Sequence, residues 1–141
     1  MSEQNKVLLR RVFEEGLNQK KSSVIDELIA PGYKNYNMPT PEPGPKGFKQ
    51  MVGMFQAAFP DFHVTIEDDF ADGEKVGTRG RFTGTHKGEF MGLKPTGRKV
   101  SIEYIDIWRV KNGKFVENWV QMDMLGLMRQ LGAIPAPKQA E

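Results

Sequence analysis

The dipeptide Asn112-Gly113, between two runs rich in apolar and aromatic residues, is the feature that most constrains the fold of this 141-residue chain. Asn-Gly favours a two-residue type I′ turn, because both central residues of that turn need positive φ. Such a turn pairs Lys111 with Lys114 and fixes the register of both strands. A three-residue loop with a bulge would shift the register by one residue and exchange the faces.

The two-residue turn predicts that ten side chains share one face of the hairpin, since side chains alternate along a strand. Among them are three carboxylates, two tryptophans, a tyrosine and a glutamine. This mixture is unusual for a plain core and typical of a pocket for a flat organic molecule. The predicted pairs are Val110 with Phe115, Trp108 with Glu117, Asp106 with Trp119, Tyr104 with Gln121, and Ile102 with Asp123.

The opposite face of the hairpin is aliphatic in its middle, where Ile105, Ile107, Val120 and Met122 are expected. The solvated face of an antiparallel sheet should be polar, and contiguous apolar patches are rare on soluble monomers. We therefore expect this face to meet a helix or another subunit, and the protein to be a homodimer or homotetramer.

Composition excludes several classes of function. The chain has no cysteine and a formal net charge of +2 with scattered basic residues, which argues against disulfides and a nucleic-acid surface. His63 and His86 are too few and too far apart for a metal site. No apolar run approaches the roughly 20 residues of a membrane span. We expect a cytoplasmic protein with no membrane partner, one domain over residues 1–135 and a flexible tail over 136–141.

Helical spacing of apolar residues marks the first half of the chain. A first helix carries Leu9 to Leu17, a second is capped near Ser22-Ser23 and ends at Pro31-Gly32, and a proline-rich loop covers 37–45. The clearest stripe, which Pro60 ends, predicts a third helix with Phe48, Met51, Val52, Phe55 and Phe59 on one side.

After Pro60 the apolar period changes to two. Strands are predicted from 62, over 76–86 and in the hairpin, with a turn at Asp72-Gly73 and a glycine-rich connection over 87–98. A last helix over 124–131 is ended by Gly132. Helices first and strands afterwards predict an α+β fold, with helices over one face of a curved antiparallel sheet.

Several motifs together resemble the SnoaL-like polyketide cyclases, or ester cyclases. They are Ala57-Ala58-Phe59-Pro60-Asp61, Gly84-Thr85-His86-Lys87-Gly88-Glu89-Phe90, Pro95-Thr96-Gly97-Arg98, Trp108-Arg109-Val110, Gly113-Lys114, Glu117-Asn118-Trp119 and Gln130-Leu131-Gly132. The resemblance covers nearly the whole chain. It implies the cone-shaped α+β barrel shared with nuclear transport factor 2 and ketosteroid isomerase.

The resemblance also implies an activity. The best-understood relatives close the fourth ring of anthracycline precursors by intramolecular aldol condensation, without metal or organic cofactor. Their catalytic acid/base is an aspartate near the end of the last long strand, and the matching position is Asp123. Tyr36 stands where the family pattern commonly has a histidine.

Asp123 and Asp106 are the predicted catalytic residues. A carboxylate in an apolar cleft has a raised pKa, which suits an acid/base. Asp123 is also suitable as the N-cap of a helix starting at Met124. Asp106 and Glu117 could orient Asp123 or bind a ligand hydroxyl, or pair with Arg79, Arg81 or a backbone amide.

The predicted ligand-binding residues fall into an aromatic and a polar group, each with a structural alternative. The aromatic side chains would wall a planar site or belong to the core. The polar ones would contact the ligand or make structural hydrogen bonds and loop caps. The set is Asn35, Tyr36, Phe55, Phe59, His86, Tyr104, Trp108, Glu117, Trp119 and Gln121.

Two functions of different class follow. The first is a polyketide cyclase-type enzyme that needs no cofactor and acts by enolate chemistry on a hydrophobic carbonyl compound. The second is a non-catalytic module of the same fold that binds a small ligand or dimerises. An isomerase or hydratase using the same aspartate is a further alternative within enzymes.

Overall fold

In the computed structural model, which describes residues 2–38 and 40–135, three of the four α-helices lie before residue 60 and four of the five strands after it. Helix α1 spans Ser2–Arg11 and continues as a π-helical segment, Val12–Asn18; α2 spans Ser22–Leu28, α3 Gly44–Ala58 and α4 Met124–Gln130. The third and fourth helices lie where the apolar stripe and Gly132 predict them. The predicted tail over 136–141 lies outside the described residues.

Five strands form one curved sheet. They are β1 Ile29–Asn35, β2 His63–Asp72, β3 Lys75–Thr85, β4 Lys99–Lys111 and β5 Lys114–Met122, in the spatial order β1-β5-β4-β3-β2. Neighbours are antiparallel except β1 and β5, which are parallel. The predicted α+β architecture, with N-terminal helices packed over a curved sheet, is confirmed.

Strand β1 was not predicted. The second helix ends at Leu28 instead of reaching Pro31-Gly32, and those two residues lie within β1. Because β1 is an edge strand, a proline without an N–H is tolerated there. The pairing with β5 is irregular between Ile29 and Lys34, on either side of this dipeptide. The strand matters for the site because it ends at Asn35.

The hairpin turn is as predicted, but the register beyond it is not. Asn112 and Gly113 have φ of 54° and 74°, and Lys111 pairs with Lys114. Past the pair of Val110 with Phe115, Val116 is left over as a β-bulge, because Arg109 pairs with Glu117. The predicted pairs above this point are therefore wrong by one residue: Trp108 lies opposite Asn118, Asp106 opposite Val120 and Tyr104 opposite Met122.

The bulge exchanges the faces of β5. Glu117, Trp119 and Gln121 were predicted to share the inner face with Trp108, but they occupy the outer one, and Asn118, Val120 and Met122 turn inward. Ile105 and Ile107 lie on the outer face as predicted.

The main core lies between the helices and the inner face of the sheet. Strand β4 alternates regularly from Lys99 to Lys111, with every even-numbered residue buried. Phe13 packs its ring edge-on against Trp108, with centroids 5.9 Å apart, and Phe48 contacts Trp108 from α3. A second cluster at the other end of the sheet includes Phe59 and Phe82. The candidate site opens within the main core.

Candidate active site

Asp106 is a carboxylate buried in the core. The alternation of β4 turns it inward between Tyr104 and Trp108, and only 4% of its surface is exposed. Its partner on β3 is Thr78, which is also buried. A charged side chain is seldom placed so deep without a partner, so its hydrogen bonds decide what it can do.

Two neutral donors hold the Asp106 carboxylate. The Thr78 hydroxyl donates to Oδ1 at 2.5 Å, and the Trp108 indole N–H donates to Oδ2 at 2.9 Å. Burial raises the pKa of Asp106 to about 7, although these two hydrogen bonds lower it. No cation among the described residues bonds to the carboxylate, so no positive charge there offsets the effect of burial on the pKa. A pKa of about 7 is the property that a general acid/base requires.

Asp106 borders a space that we call the inner cavity, of about 90 Å³, between the π-helical segment, α3 and the sheet. Its wall is overwhelmingly apolar, with Phe13, Phe48 and Phe55 facing the sheet. The polar residues among its lining are Asn35, Tyr104, Asp106 and Asn118. Burial raises the pKa of the Tyr104 phenol, so Tyr104 stays neutral in the range where Asp106 titrates.

Asn35 and Asn118 form a second polar wall, joined across β1 and β5. The Asn118 Oδ1 accepts hydrogen bonds from Tyr33 Oη at 3.3 Å and from Asn35 Nδ2 at 3.0 Å. Both asparagines are buried. Sequence reasoning found Asn35 but missed Thr78 and Asn118, because the unrecognised bulge assigned Asn118 to the outer face.

A larger outer cleft adjoins the inner cavity. It encloses about 620 Å³, and Met38, Met51, Phe55, Val120 and Met122 border both spaces. Three further methionines, Met54, Met91 and Met124, line the cleft alone. Methionine side chains are flexible and polarisable, and they adapt to irregular apolar ligands. Gln121, a predicted ligand residue, also borders this cleft.

Tyr36, Glu117 and Trp119 lie together on the outer side of the sheet, outside the inner cavity where they were predicted. The Tyr36 and Trp119 rings are stacked, with centroids 5.2 Å apart and planes 12° from parallel. The Tyr36 hydroxyl donates to Glu117 Oε2 at 2.6 Å, and Arg109 donates to Glu117 Oε1. These hydrogen bonds from Tyr36 and Arg109 lower the pKa of Glu117, which is therefore a paired anion and not an acid/base at neutral pH.

Asp123 is the N-cap of α4. Its Oδ1 accepts a hydrogen bond from the Gly126 N–H at 2.8 Å, and its side chain is exposed. The prediction that Asp123 lines an enclosed cavity with Trp119 is wrong. The strand that carried both residues inward in the predicted register is turned over by the bulge, and α4 begins immediately after Asp123.

Two more predicted ligand residues lie away from the inner cavity: Phe59 belongs to the second core cluster, and His86 packs against it. Their rings are in contact, with centroids 5.5 Å apart. His86 is fully buried, and its Nδ1 accepts a hydrogen bond from the Thr96 backbone N–H at 3.2 Å. Its placement matches the structural alternative for this residue. Phe55, in contrast, borders both the inner cavity and the outer cleft.

The described ranges 2–38 and 40–135 contain no group of three or more His, Cys, Asp or Glu side chains placed to hold a metal ion. Within the same ranges, no helix is long and apolar enough to cross a membrane.

Comparisons with known proteins agree with this architecture. The family model for SnoaL-like polyketide cyclase matches residues 7–131. The nogalonic acid methyl ester cyclase of Streptomyces nogalater is 30% identical over 127 residues, which are 82% of this chain and 88% of that protein. The aklanonic acid methyl ester cyclase DnrD of Streptomyces peucetius is 31% identical over 131 residues, 89% of this chain and 88% of its own.

A solved structure is similar as well. TsrD from Streptomyces laurentii superposes with a TM-score of 0.84 at 29% identity, and the match covers 92% of this chain and 95% of that one.

Proposed function

The chain belongs to the SnoaL-like polyketide cyclase family, and from this premise we propose that Asp106 carries the proton in an intramolecular aldol ring closure of a hydrophobic carbonyl compound. The observation that supports the proposal most is the position of Asp106 in the wall of an apolar cavity, buried between two neutral donors.

The chemistry needs one group that first takes a proton and later returns it. The Asp106 carboxylate removes a proton from a carbon beside a carbonyl, and the C–H electron pair becomes the C=C bond of an enolate. The enolate carbon attacks a second carbonyl carbon of the same molecule and forms a C–C bond. The resulting alkoxide takes the proton back from Asp106. No proton is gained or lost overall, and a pKa of about 7 suits both transfers.

The inner cavity and the outer cleft would each hold a different part of the ligand. The inner cavity of about 90 Å³ is smaller than the roughly 150 Å³ cavity that holds one benzene. It admits a reacting arm and not a fused ring system. The outer cleft of about 620 Å³ lies within the range of roughly 300–1,000 Å³ typical of ligand pockets. A flat polycyclic compound would therefore lie between the methionines with its reactive chain directed at Asp106.

The experiment is a cyclisation assay with nogalonic acid methyl ester and aklanonic acid methyl ester, for which the two Streptomyces relatives are named. Asp106→Asn keeps the shape of the side chain but cannot exchange a proton. We expect its turnover to fall by roughly 10²- to 10⁴-fold, the usual contribution of general acid–base catalysis.

Asp123→Asn tests the competing assignment with the same chemical change. Asparagine caps a helix about as well as aspartate, so this variant should keep its melting temperature and its turnover. Loss of turnover in Asp123→Asn with full activity in Asp106→Asn would reverse the assignment.

A ligand-binding module without catalysis is the second candidate. It is favoured by one observation: both Asp106 oxygens already accept hydrogen bonds within the protein, as a structural carboxylate would. Binding of either methyl ester, followed by calorimetry, without conversion by the wild-type protein would support this candidate over the enzyme.

A further inference from the structure

The side-chain amides of Asn35 and Asn118 are oriented by their own hydrogen bonds. The Asn35 Oδ1 accepts from the backbone N–H groups of Asn37 at 3.1 Å and Met38 at 2.9 Å. Its amide nitrogen must therefore be the atom that faces Asn118. In Asn118, Nδ2 donates to the Ile107 carbonyl at 3.1 Å, while Oδ1 accepts from Tyr33 and Asn35.

Each amide nitrogen has two hydrogens and can therefore donate two hydrogen bonds, but each of these two nitrogens donates one. Asn35 Nδ2 donates one hydrogen to Asn118 Oδ1, and Asn118 Nδ2 donates one to the Ile107 carbonyl. Within residues 2–38 and 40–135, neither second hydrogen has a geometrically suitable acceptor, although the Asn35 amide lies close enough to the Tyr33 hydroxyl to lower the pKa of that phenol. Both residues are at least 95% buried, and both line the inner cavity. An unsatisfied buried donor is costly, and a ligand acceptor in the cavity would satisfy it.

The two amides also lie near Asp106, the proposed acid/base, on the inner face of the sheet. Asp106 pairs with Val120, so Asn118 is its diagonal neighbour on the inner face of β4 and β5. Diagonal positions on one sheet face are about 7–8 Å apart. This spacing leaves room for a carbonyl group between the carboxylate and the amides, with its α-carbon toward the carboxylate.

From this count we propose that the free N–H groups of Asn35 and Asn118 bind the carbonyl oxygen of the substrate and stabilise the negative charge that develops on it. The inference rests on the proposed function and adds the electrophilic half of the site. When Asp106 takes the α-proton, the electron pair moves through the enolate to this oxygen, and two neutral donors in a mostly apolar cavity stabilise it. The oxygen loses the charge when the enolate carbon forms the new bond.

The substrate class becomes narrower as a result. The reacting arm must carry an enolisable carbonyl, such as a ketone or ester with an α-hydrogen, whose oxygen reaches the end of β1 and the middle of β5. A compound of the same shape without that carbonyl would leave the two amide hydrogens without an acceptor, and the site would reject it.

The test measures deuterium exchange at the α-carbon of nogalonic acid methyl ester by proton NMR in D₂O, together with its cyclisation. Asn118→Leu, similar in size and uncharged, removes the donor without placing a second carboxylate near Asp106. Asn35→Asp keeps the oxygen that accepts from Asn37 and Met38 and removes both N–H groups. We expect each variant to lose roughly 10²- to 10³-fold in both rates, the usual effect of removing one such donor.

Asn112→Asp is the matched control for the change from amide to carboxylate. It lies in the hairpin turn away from the inner cavity, and Asp-Gly forms the same type of turn. Its exchange rate and melting temperature should equal those of the wild type.

The outcomes separate this inference from the function on which it rests. Wild-type exchange in both Asn118→Leu and Asn35→Asp, with exchange abolished in Asp106→Asn, overturns the amide assignment and leaves the proposed function standing. Equal exchange in Asp106→Asn and the wild type, or no exchange by either, overturns the proposed function and this inference with it. A variant with lowered melting temperature but a wild-type exchange rate in its folded fraction shows a purely structural role and also overturns it.

Discussion

At the scale of single residues, the Asp106 carboxylate has an asymmetric environment. The Trp108 N–H can only donate, so Oδ2 is always an acceptor. This hydrogen bond favours the carboxylic proton on Oδ1, beside Thr78, over Oδ2. Thr78 can reverse its hydrogen bond because a hydroxyl both donates and accepts. Thr78, one of the two residues that sequence reasoning missed, is thus the one that adjusts to the charge of the proposed acid/base.

Thr78→Val should raise the pKa of Asp106, the proposed acid/base. Valine has the shape of threonine but no hydroxyl, so the carboxylate loses a donor that lowers the pKa of Asp106. The basic form then appears at higher pH, and the rise of kcat/KM with pH should shift in the alkaline direction. Tyr33 and Tyr104 do not interfere, because burial raises the pKa of both phenols.

The pH profiles of wild type, Thr78→Val and Thr78→Ser check this prediction. Serine keeps the hydroxyl and should keep the wild-type midpoint. A profile of Thr78→Val that is unchanged, or shifted to lower pH, would contradict the hydrogen bond from Thr78 as a cause of the pKa.

At the scale of elements, one extra residue in β5 decides which side chains face the inner cavity. The turn was predictable because Asn112-Gly113 is a local signal with a specific backbone requirement. The bulge at Val116 was not, because the segment from Phe115 to Met122 alternates acceptably in either register. Packing against β1 and the helices selects the register that buries Asn118 and exposes Glu117. That choice depends on residues distant in sequence, which periodicity does not capture.

The same contrast between local signals and long-range packing explains which other strands could be predicted. Strand β4 has a clean period of two, so Asp106, Tyr104 and Trp108 were placed correctly on the inner face. Strand β1 was missed because Pro31-Gly32 usually ends a helix or a strand. A strand can contain this dipeptide here because β1 lies at the edge of the sheet.

Deletion of Val116 should test the bulge directly. Without it, Glu117 follows Phe115 directly and still pairs with Arg109, so Glu117 stays on the outer face and Asn118 on the inner one. The deletion removes only the unpaired residue and its local twist. We therefore expect the variant to remain folded in urea unfolding and to keep the near-ultraviolet circular dichroism of Trp108.

Val116→Ala, which keeps the bulge, is the control and should remain folded. A deletion variant far less stable than Val116→Ala would contradict this prediction and show that the fold requires the bulge itself.

At the scale of the whole molecule, the outer face of the sheet has an apolar patch formed by Phe70, Ile105 and Ile107. Their exposed fractions are 65%, 59% and 41%. Phe70, Gly77 and Ile107 lie side by side on β2, β3 and β4, and the Phe70 ring covers Gly77, where a Cβ would come within 2.3 Å of it. The patch is smaller than the sequence predicted, because Val120 and Met122 face the inner cavity and the outer cleft instead.

We predict a homodimer formed through this patch. Light scattering of the wild type should give at least twice the 16.0 kDa of one chain. Ile107→Lys places a charge in the centre of the patch and should give the mass of a single chain at the same concentration, because burying an unpaired ammonium opposes association. Ile107→Val keeps the patch apolar and should behave as the wild type. A monomeric wild-type protein at micromolar concentration would contradict the prediction.

The bond between Asn35 and Asn118 also governs the order in which the protein can fold. It joins residues 83 positions apart, and within the described part of the chain β1 pairs with β5 alone, the last strand in the sequence. During synthesis, β1 leaves the ribosome long before its partner, and contacts so distant in sequence form slowly. The nascent chain must keep an unpaired strand from joining another chain, and Pro31 within β1 opposes such pairing. The inner cavity is therefore completed only when the final strand has been made.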